Sequence, residues 1–463
     1  GDLLEQRRSF QEGVFACMYT LVRQSALSSW HFVVLKIVLE GLMPFIVAFN
    51  PSTGWDIDTG NPVWQVVRWA VWRSPIMRIY SYNVYIRIMY VMAGAVLLAV
   101  VGLIWLTIAM RKQEQSKWLR QMATMLHVAY ELIFMIFYVS FLDYLVFTAN
   151  CRFTDPSKEH EYFTGVKCLQ MPHVMHMSVA LVAAVVHFCV TALLVVASSD
   201  LNPLSLSYLA SPDAVSRLKI LAAKAAFIIF AADLQSWPKI QTVLMSIAVA
   251  FICWYNFRKL PFYRMLVNVI WCSLWICVLY TCLMLAVLEL RKDSSLARRR
   301  QYTLYVLYGI FPVLAGGIVV CGVHAWWAMR PARKFEDLPS FRDVRVQKHR
   351  FAHVHEVELL SRVMRRLDAD GGVEEDAAML GDAVIRAGML TFPNSPFLYV
   401  LYANFLLEVR KDGPAARTQL QLAAKHGPSL VERYQIYCTL EASKRLKDGR
   451  DGGMDLQAYI EFR

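Results

Sequence analysis

The sequence predicts an all-α protein in two parts: a polytopic transmembrane helix bundle of about eight spans, then a cytosolic helical-repeat domain of the TPR/HAT kind. Three observations carry this. Hydrophobic residues make up 57% of the 463 and the mean hydropathy is +0.39, above the roughly 45–50% apolar content of ordinary soluble domains. The excess is gathered in runs of about 20 residues, the length that crosses about 30 Å of hydrocarbon. Past Arg330 those runs give way to amphipathic helices of ordinary length. The segments are therefore 1–29, a polar juxtamembrane stretch; 30–329, the bundle; and 330–463, the helical domain. Gly1–Gln11 is polar, no Met begins the chain, and Arg463 closes a periodic segment, so the sequence reads as a piece of a longer protein.

In order, the spans read as Trp30–Phe49 with Pro44 as a kink, Ile88–Met110, Gln121–Thr148, Val174–Ser198, Leu218–Leu234, Ile240–Phe257, Phe262–Leu288 and Tyr302–Met329. The fifth is short and carries Lys224. Trp30, Trp118, Trp254, Trp326 and Trp327 stand near span ends, as interfacial anchors do. Between the first two spans, Pro62–Tyr82 puts Trp64, Arg68 and Trp72 on one face, but Arg73 and Arg78 make it too charged to cross. It reads as an interfacial helix, or as a surface helix packed on another subunit.

Orientation follows the Lys/Arg bias of short loops. Arg111, Lys112, Lys117 and Arg120 follow span two, and Arg258, Lys259 and Arg264 follow span six. Eight spans put these on one side with both ends of the chain, which makes the C-terminal domain cytosolic. Arg291, Lys292, Arg298, Arg299 and Arg300 after span seven break the rule.

Ionisable residues in a bilayer are costly and mark function by default. The spans contain Lys36, Glu40, His127, Glu131, Asp143, His187 and Lys224. The functional reading is an ion or proton pathway lined by His127, Glu131 and Lys224. The favoured structural reading is satisfied pairs: Lys36 with Glu40, four apart on one helix, and Glu131 with Lys224. Pro312, Gly316 and Gly317 make span eight the one interrupted helix expected. Cys189, Cys253, Cys272, Cys277, Cys282 and Cys321 lie in apolar runs as small hydrophobes. Cys151 and Cys168 bracket a polar loop and form a disulfide if it faces an oxidising compartment; two loop thiols are the alternative.

The C-terminal region shows helical stripes at Val357–Leu367, Ala377–Leu390, Ser395–Arg410, Ala415–Lys425 and Ser429 to about Lys447. Pro393 and Pro428 stand 35 residues apart, each opening a helix, near the 34-residue tetratricopeptide period. Tyr402, Ala403 and Phe405, followed by Gly413, Ala416 and Arg417, complete a half-repeat pattern, and such units stack into a peptide-binding solenoid. A plain helical bundle is the alternative. The run Phe392-Pro393-Asn394-Ser395-Pro396-Phe397, then Tyr402 to Gly413 and Ala415 to Lys425, resembles the tiny macrocysts protein B-like family of protists and green algae. The specific match covers about residues 350–463. The resemblance implies a large multi-pass protein whose helical segment often precedes PAS-type sensory domains, none of which is visible here. It implies no catalytic residues.

The net charge of +12 does not point to nucleic acid, because residues 330–463 hold 21 Lys and Arg against 19 Asp and Glu and form no basic stripe. No phosphate loop, nucleophile elbow or zinc-protease signature occurs. His349, His353, His355 and Glu356 are the one local set of ligand types, and a solvated basic helix explains them better than a metal. The expectation is a non-enzymatic sensory or signalling protein with no cofactor and no metal, resident in a plasma or ciliary membrane. Its partners are the lipid bilayer and a protein held by the helical repeats. An ion channel or transporter, or a structural subunit in an oligomer or larger membrane complex, are the alternatives.

Overall fold

The structure is a computed structural model; it describes residues 2–23, 30–50, 54–56, 81–111, 117–152, 158–291, 295–335, 349–366 and 373–451. The expected interfacial helix at 62–82 lies almost wholly outside them. Every named element among the described residues is helical, accompanied by isolated bridges such as Cys151 to His160. The chain divides into two compact units. One comprises 1–197, 216–258 and 265–322, the other 198–215, 259–264 and 323–463. The second is thus wider than the expected 330–463 domain, because it takes in two loops that follow membrane helices.

The first unit begins with α1 (Asp2–Arg23) and α2 (Trp30–Ala48), which runs on through Pro44. Residues 1–29 are therefore more than a polar lead: Cys17 and Leu21 pack with Leu106, Ala109 and Ala123. Next come α3 (Tyr82–Arg111), α4 (Lys117–Ala129), a π-helical turn (Tyr130–Ile136), α5 (Tyr138–Val146) and α6 (His173–Ala197). They are followed by α7 (Ala214–Asp233), α8 (Pro238–Lys259), α9 (Met265–Leu290) and α10 (Leu296–Met329). A shared core gathers Met89, Leu142, Leu145, Ala184, Phe227, Ile228, Met245, Val249 and Trp275. Outward faces such as Val91, Leu97, Leu98 and Val101 of α3 stay exposed and apolar, as helices solvated by lipid require.

Six of these helices are long and apolar enough to cross a membrane, seven if the bent third span counts as one. That is fewer than the eight expected. The shortfall is α7, where Arg217, Lys219, Lys224 and Asp233 dilute the apolar content. The interrupted helix is also not where the sequence put it. α10 continues unbroken past Pro312, with Gly317 allowing close approach: a Cβ there would stand 3.3 Å from Ser273 Cβ. The break lies in span three, which bends by 68° between Ile136 and Tyr138. There the Phe137 amide donates to the Leu132 carbonyl at 2.9 Å, a π-type bond that no proline or glycine announces.

The second unit is built on α11 (Val354–Ser361), α12 (Glu375–Thr391), α13 (Pro396–Glu408), α14 (Gly413–Lys425) and α15 (Leu430–Asp451). Each packs on the next, and α15 also returns to α13, where the Asn404 amide donates to Thr439 Oγ1 at 2.9 Å. Of the expected start signals, Pro414 opens a helix, whereas Pro393 lies in the turn before α13 and α15 begins two residues after Pro428. Pro396 and Pro414 lie in first turns, and the Asp412 side chain accepts from the Ala415 amide. Ser429 and Glu432 exchange bonds as a capping box. Val357, Leu360, Met364, Val384, Ile385, Leu401, Phe405 and Leu420 fill the core.

Gly388 sets the approach of α12 to α11, since a Cβ there would fall 2.3 Å from Val357 Cγ1. Gly388→Ala is expected to destabilise this unit by about 1–3 kcal/mol through overpacking, with Val357→Ala recovering part of the loss. Thermal unfolding of the two single variants and the double variant in detergent checks the pairing.

Candidate functional site

The buried charges of the first unit meet across helices and not along them. Lys36 of α2 donates to Glu131 Oε2 of the π-turn at 2.8 Å. Glu40, one turn further along α2, pairs with Lys224 of α7. The expected pairs, Lys36–Glu40 and Glu131–Lys224, are thus both exchanged for crosswise ones. The spacing of four along α2 allows a Lys36–Glu40 pair, but the helices packed against α2 bring Glu131 to Lys36 and Lys224 to Glu40 instead. Lys224 also lies over the rings of Trp275 and Trp271, at 5.4 and 5.6 Å from their centroids. Arg217, three residues into α7, lies within electrostatic reach of Glu131, and His127 within reach of Glu131 and Lys36.

Two predicted members stand apart from this cluster. His187 is stacked among Phe134, Tyr138 and Phe141, with centroid distances of 5.0, 5.4 and 5.7 Å, and so serves packing. Asp143 is buried on α5, beside the α3 contact in which the Tyr85 hydroxyl donates to the Tyr144 carbonyl. As arranged, the cluster is a set of closed ion pairs joining α2, the bent third span and α7. It has the composition of a proton path but not an open one.

The loop between α5 and α6 carries a disulfide from Cys151 to Cys168. His160 and His173 pack edge to face beside it at 5.7 Å. The atoms of Cys151, Cys168 and His173 fall within 4.8 Å of one another, yet they offer a metal nothing. The sulfurs are bonded together, and both ring nitrogens of His173 are used, with Nε2 donating to the Thr148 carbonyl and Nδ1 accepting from Tyr82. Burial pushes the His160 pKa down to about 4.

In the second unit, α11 and the turn after it hold two loops. Arg362 forms a bidentate pair with Glu358, both N···O distances 2.8 Å, and its Nη1 donates to the carbonyls of Leu260 and Phe262. Both side chains are almost wholly buried, 2% and 1% exposed. Arg365 donates to the carbonyls of Pro203 and Ser205 and lies over the ring of Tyr263 at 4.6 Å. His355 Nε2 donates to the Lys259 carbonyl at 2.6 Å, while its Nδ1 faces Asp213 at 3.6 Å and Glu358 at 3.8 Å. Loop carbonyls that would otherwise be buried unsatisfied are thereby met by charged donors.

The His349–Glu356 set is dispersed by these contacts. His349 bonds Glu356 at 2.7 Å, His355 turns to the loops, and α11 starts only at Val354, so His349 and His353 do not share a helical turn. Of the repeat residues, Tyr402, Ala403, Phe405 and Ala416 are buried in the core. The Tyr402 hydroxyl accepts from Arg386 at 3.0 Å, and Arg417 reaches Ser443 at 3.4 Å. Pro393, Gly413 and Pro428 lie in the turns and first turns between helices.

Sequence reasoning missed Arg217, Trp271, Trp275, Asp213 and the Glu358–Arg362–Arg365 set. The last carried a weak signal, an i, i+4 acid–base pair, which on an amphipathic helix reads as a solvated surface pair. Comparison of the chain with protein-family models, curated proteins and solved structures gives no match.

Burial is the largest influence on His355 and lowers its pKa, outweighing Glu358 and Asp213, which raise it; Arg362 and Lys259 add to the lowering. The folded unit then binds fewer protons than the unfolded chain below about pH 6.5, the ordinary histidine value, so stability falls as the pH drops through that value. Hydrogen exchange of α11 should quicken between pH 7.5 and 5.5, and His355→Gln, which retains a donor for Lys259, should flatten the change.

Proposed function

We propose that the chain is a multi-pass membrane sensory or signalling protein whose cytosolic helical unit, a TPR-like array, recruits a protein partner. The observation that carries this reading is the Arg362–Arg365 clamp. It holds α11 and the turn after it to two segments that follow α6 and α8 in the chain and belong to the same unit. The succession of α12 to α15, each packed on the next, supports the repeat reading, as does the resemblance of Phe392 to Lys425 to the tiny macrocysts protein B-like family.

Connectivity supports the sidedness. Residues 198–215, 259–264 and everything from 323 onward share one unit, so α6, α8 and α10 end on its side. The chain must leave that side along α7 to begin α8 again. Its 20 residues span about 30 Å. Antiparallel bonds support the hairpin: Lys219 to the Tyr255 hydroxyl at 3.2 Å near one end, Gln241 to the Ala231 carbonyl at 2.9 Å near the other. α7 is then the eighth crossing, with its central Lys224 paired to Glu40. α6 separates the disulfide loop from Ser198–Val215, and a disulfide belongs in an oxidising compartment. This supports a cytosolic helical unit, as do the basic loops at Arg111–Arg120 and Arg258–Arg264. Of the cations that break the rule, Arg299 is held by Glu289 at 3.8 Å and by the Gly54 carbonyl at 3.3 Å.

A transporter is the second reading, favoured by a broken third span with Glu131 in its π-turn; discontinuous helices line ion sites in many transporters. The closed pairs at Glu40 and Glu131 weigh against it. A cysteine in place of Gly165 should label from outside intact cells, and one in place of Lys425 only after permeabilisation; the reverse pattern overturns the orientation. Purified protein in liposomes should pass no ions, and robust flux abolished by Glu131→Gln would overturn the signalling reading.

A further inference from the structure

The segment Met171-Pro172-His173-Val174-Met175-His176-Met177 is rich in soft donors, and no role described so far uses its thioethers. Methionine ordinarily fills apolar interiors. Here Met171 and Met175 are 77% and 49% exposed. The Val174 amide bonds the Gln170 carbonyl and the His176 amide bonds the Pro172 carbonyl, at 3.2 and 3.3 Å, so a helical turn separates the two methionines. α6 has 25 residues, about 37 Å against about 30 Å of hydrocarbon, so it outruns the apolar layer, and its first turn directly follows the polar loop of the disulfide. The Cys151–Cys168 disulfide ends three residues before Met171 and pins the turn leading into the site.

His176 follows Met175 directly. Its Nδ1 is 2.8 Å from the Tyr90 hydroxyl, with the two rings edge to face, and among the described residues Nε2 makes no bond. A hydrogen bond at one ring nitrogen that orients the other is the usual support of a metal-bound histidine. His173 is excluded, since both of its nitrogens are used, and the two cysteines are excluded by their disulfide. Met177 is half-buried and set aside; the two exposed thioethers and one imidazole are left, a neutral and soft donor set. Such a set suits a soft monovalent ion and disfavours zinc, magnesium or calcium, which take harder or charged ligands.

We propose that Met171, Met175 and His176 form a binding site for a soft monovalent metal ion, copper(I) or silver(I), at the entrance of α6. The test uses the full chain in detergent, unreduced and with free thiols blocked by N-ethylmaleimide, so that Cys189 and the buried cysteines do not compete. Silver(I) uptake is measured by equilibrium dialysis with metal analysis. Wild type should bind about one ion per chain more than Met171→Leu/Met175→Leu, a variant that keeps apolar volume and should unfold at an unchanged temperature. His176→Phe should weaken the site at least tenfold, and zinc(II) should not compete. Equal silver uptake by wild type and the methionine variant, or displacement of the ion by zinc, overturns the proposal.

Discussion

A charge carried into a bilayer has to find its opposite, and in this bundle the search ends on a different helix each time. Lys36 and Glu40 leave α2 one turn apart and diverge, one to Glu131 in the bent third span, the other to Lys224 in α7. Removing one partner of a buried pair typically costs several kcal/mol, more than the pair adds over an apolar replacement. The pairs therefore act chiefly as constraints on which helices may be neighbours. They also account for a lysine in the middle of α7: Lys224 faces Glu40 and the rings of Trp271 and Trp275.

The same constraint bears on the bend in span three. Glu131 sits in the first turn of the π-helical segment, just before the chain turns by 68°. A tighter or straighter helix would turn the carboxylate away from Lys36. At the opposite end of the account, Arg362 and Arg365 do for loop carbonyls what Lys36 and Lys224 do for carboxylates: each brings a charged donor to an acceptor that would otherwise be buried alone. Charged contacts between sequence-distant segments thus recur in both units.

Much of the architecture was legible in the sequence. Long apolar runs marked the spans within a few residues, and Gly413, Pro414 and Ser429 marked helix starts, because these signals are local; Pro393 marked a turn three residues before its helix. Cys151 and Cys168 stood out because they bracket one loop. What could not be read was long-range. The choice of Glu131 over Glu40 by Lys36 depends on how helices face, which no spacing encodes. The break at Phe137 arises from a π-turn without proline or glycine, whereas Pro312, Gly316 and Gly317 drew attention to a helix that runs straight through them. Glu358 and Arg362 looked like a surface pair because the carbonyls to which Arg362 also donates lie about 100 residues upstream.

The central claim is that charge pairing across α2, the third span and α7 fixes the bundle. Double-mutant cycles on thermal unfolding of the full chain test it most directly, using Lys→Met and Glu→Gln at Lys36–Glu131, Glu40–Lys224 and Lys36–Glu40. The account predicts coupling of about 1–3 kcal/mol for the first two pairs, with each double variant more stable than the sum of its singles allows, and coupling near zero for Lys36–Glu40. Strong coupling within α2 and none across helices would contradict it.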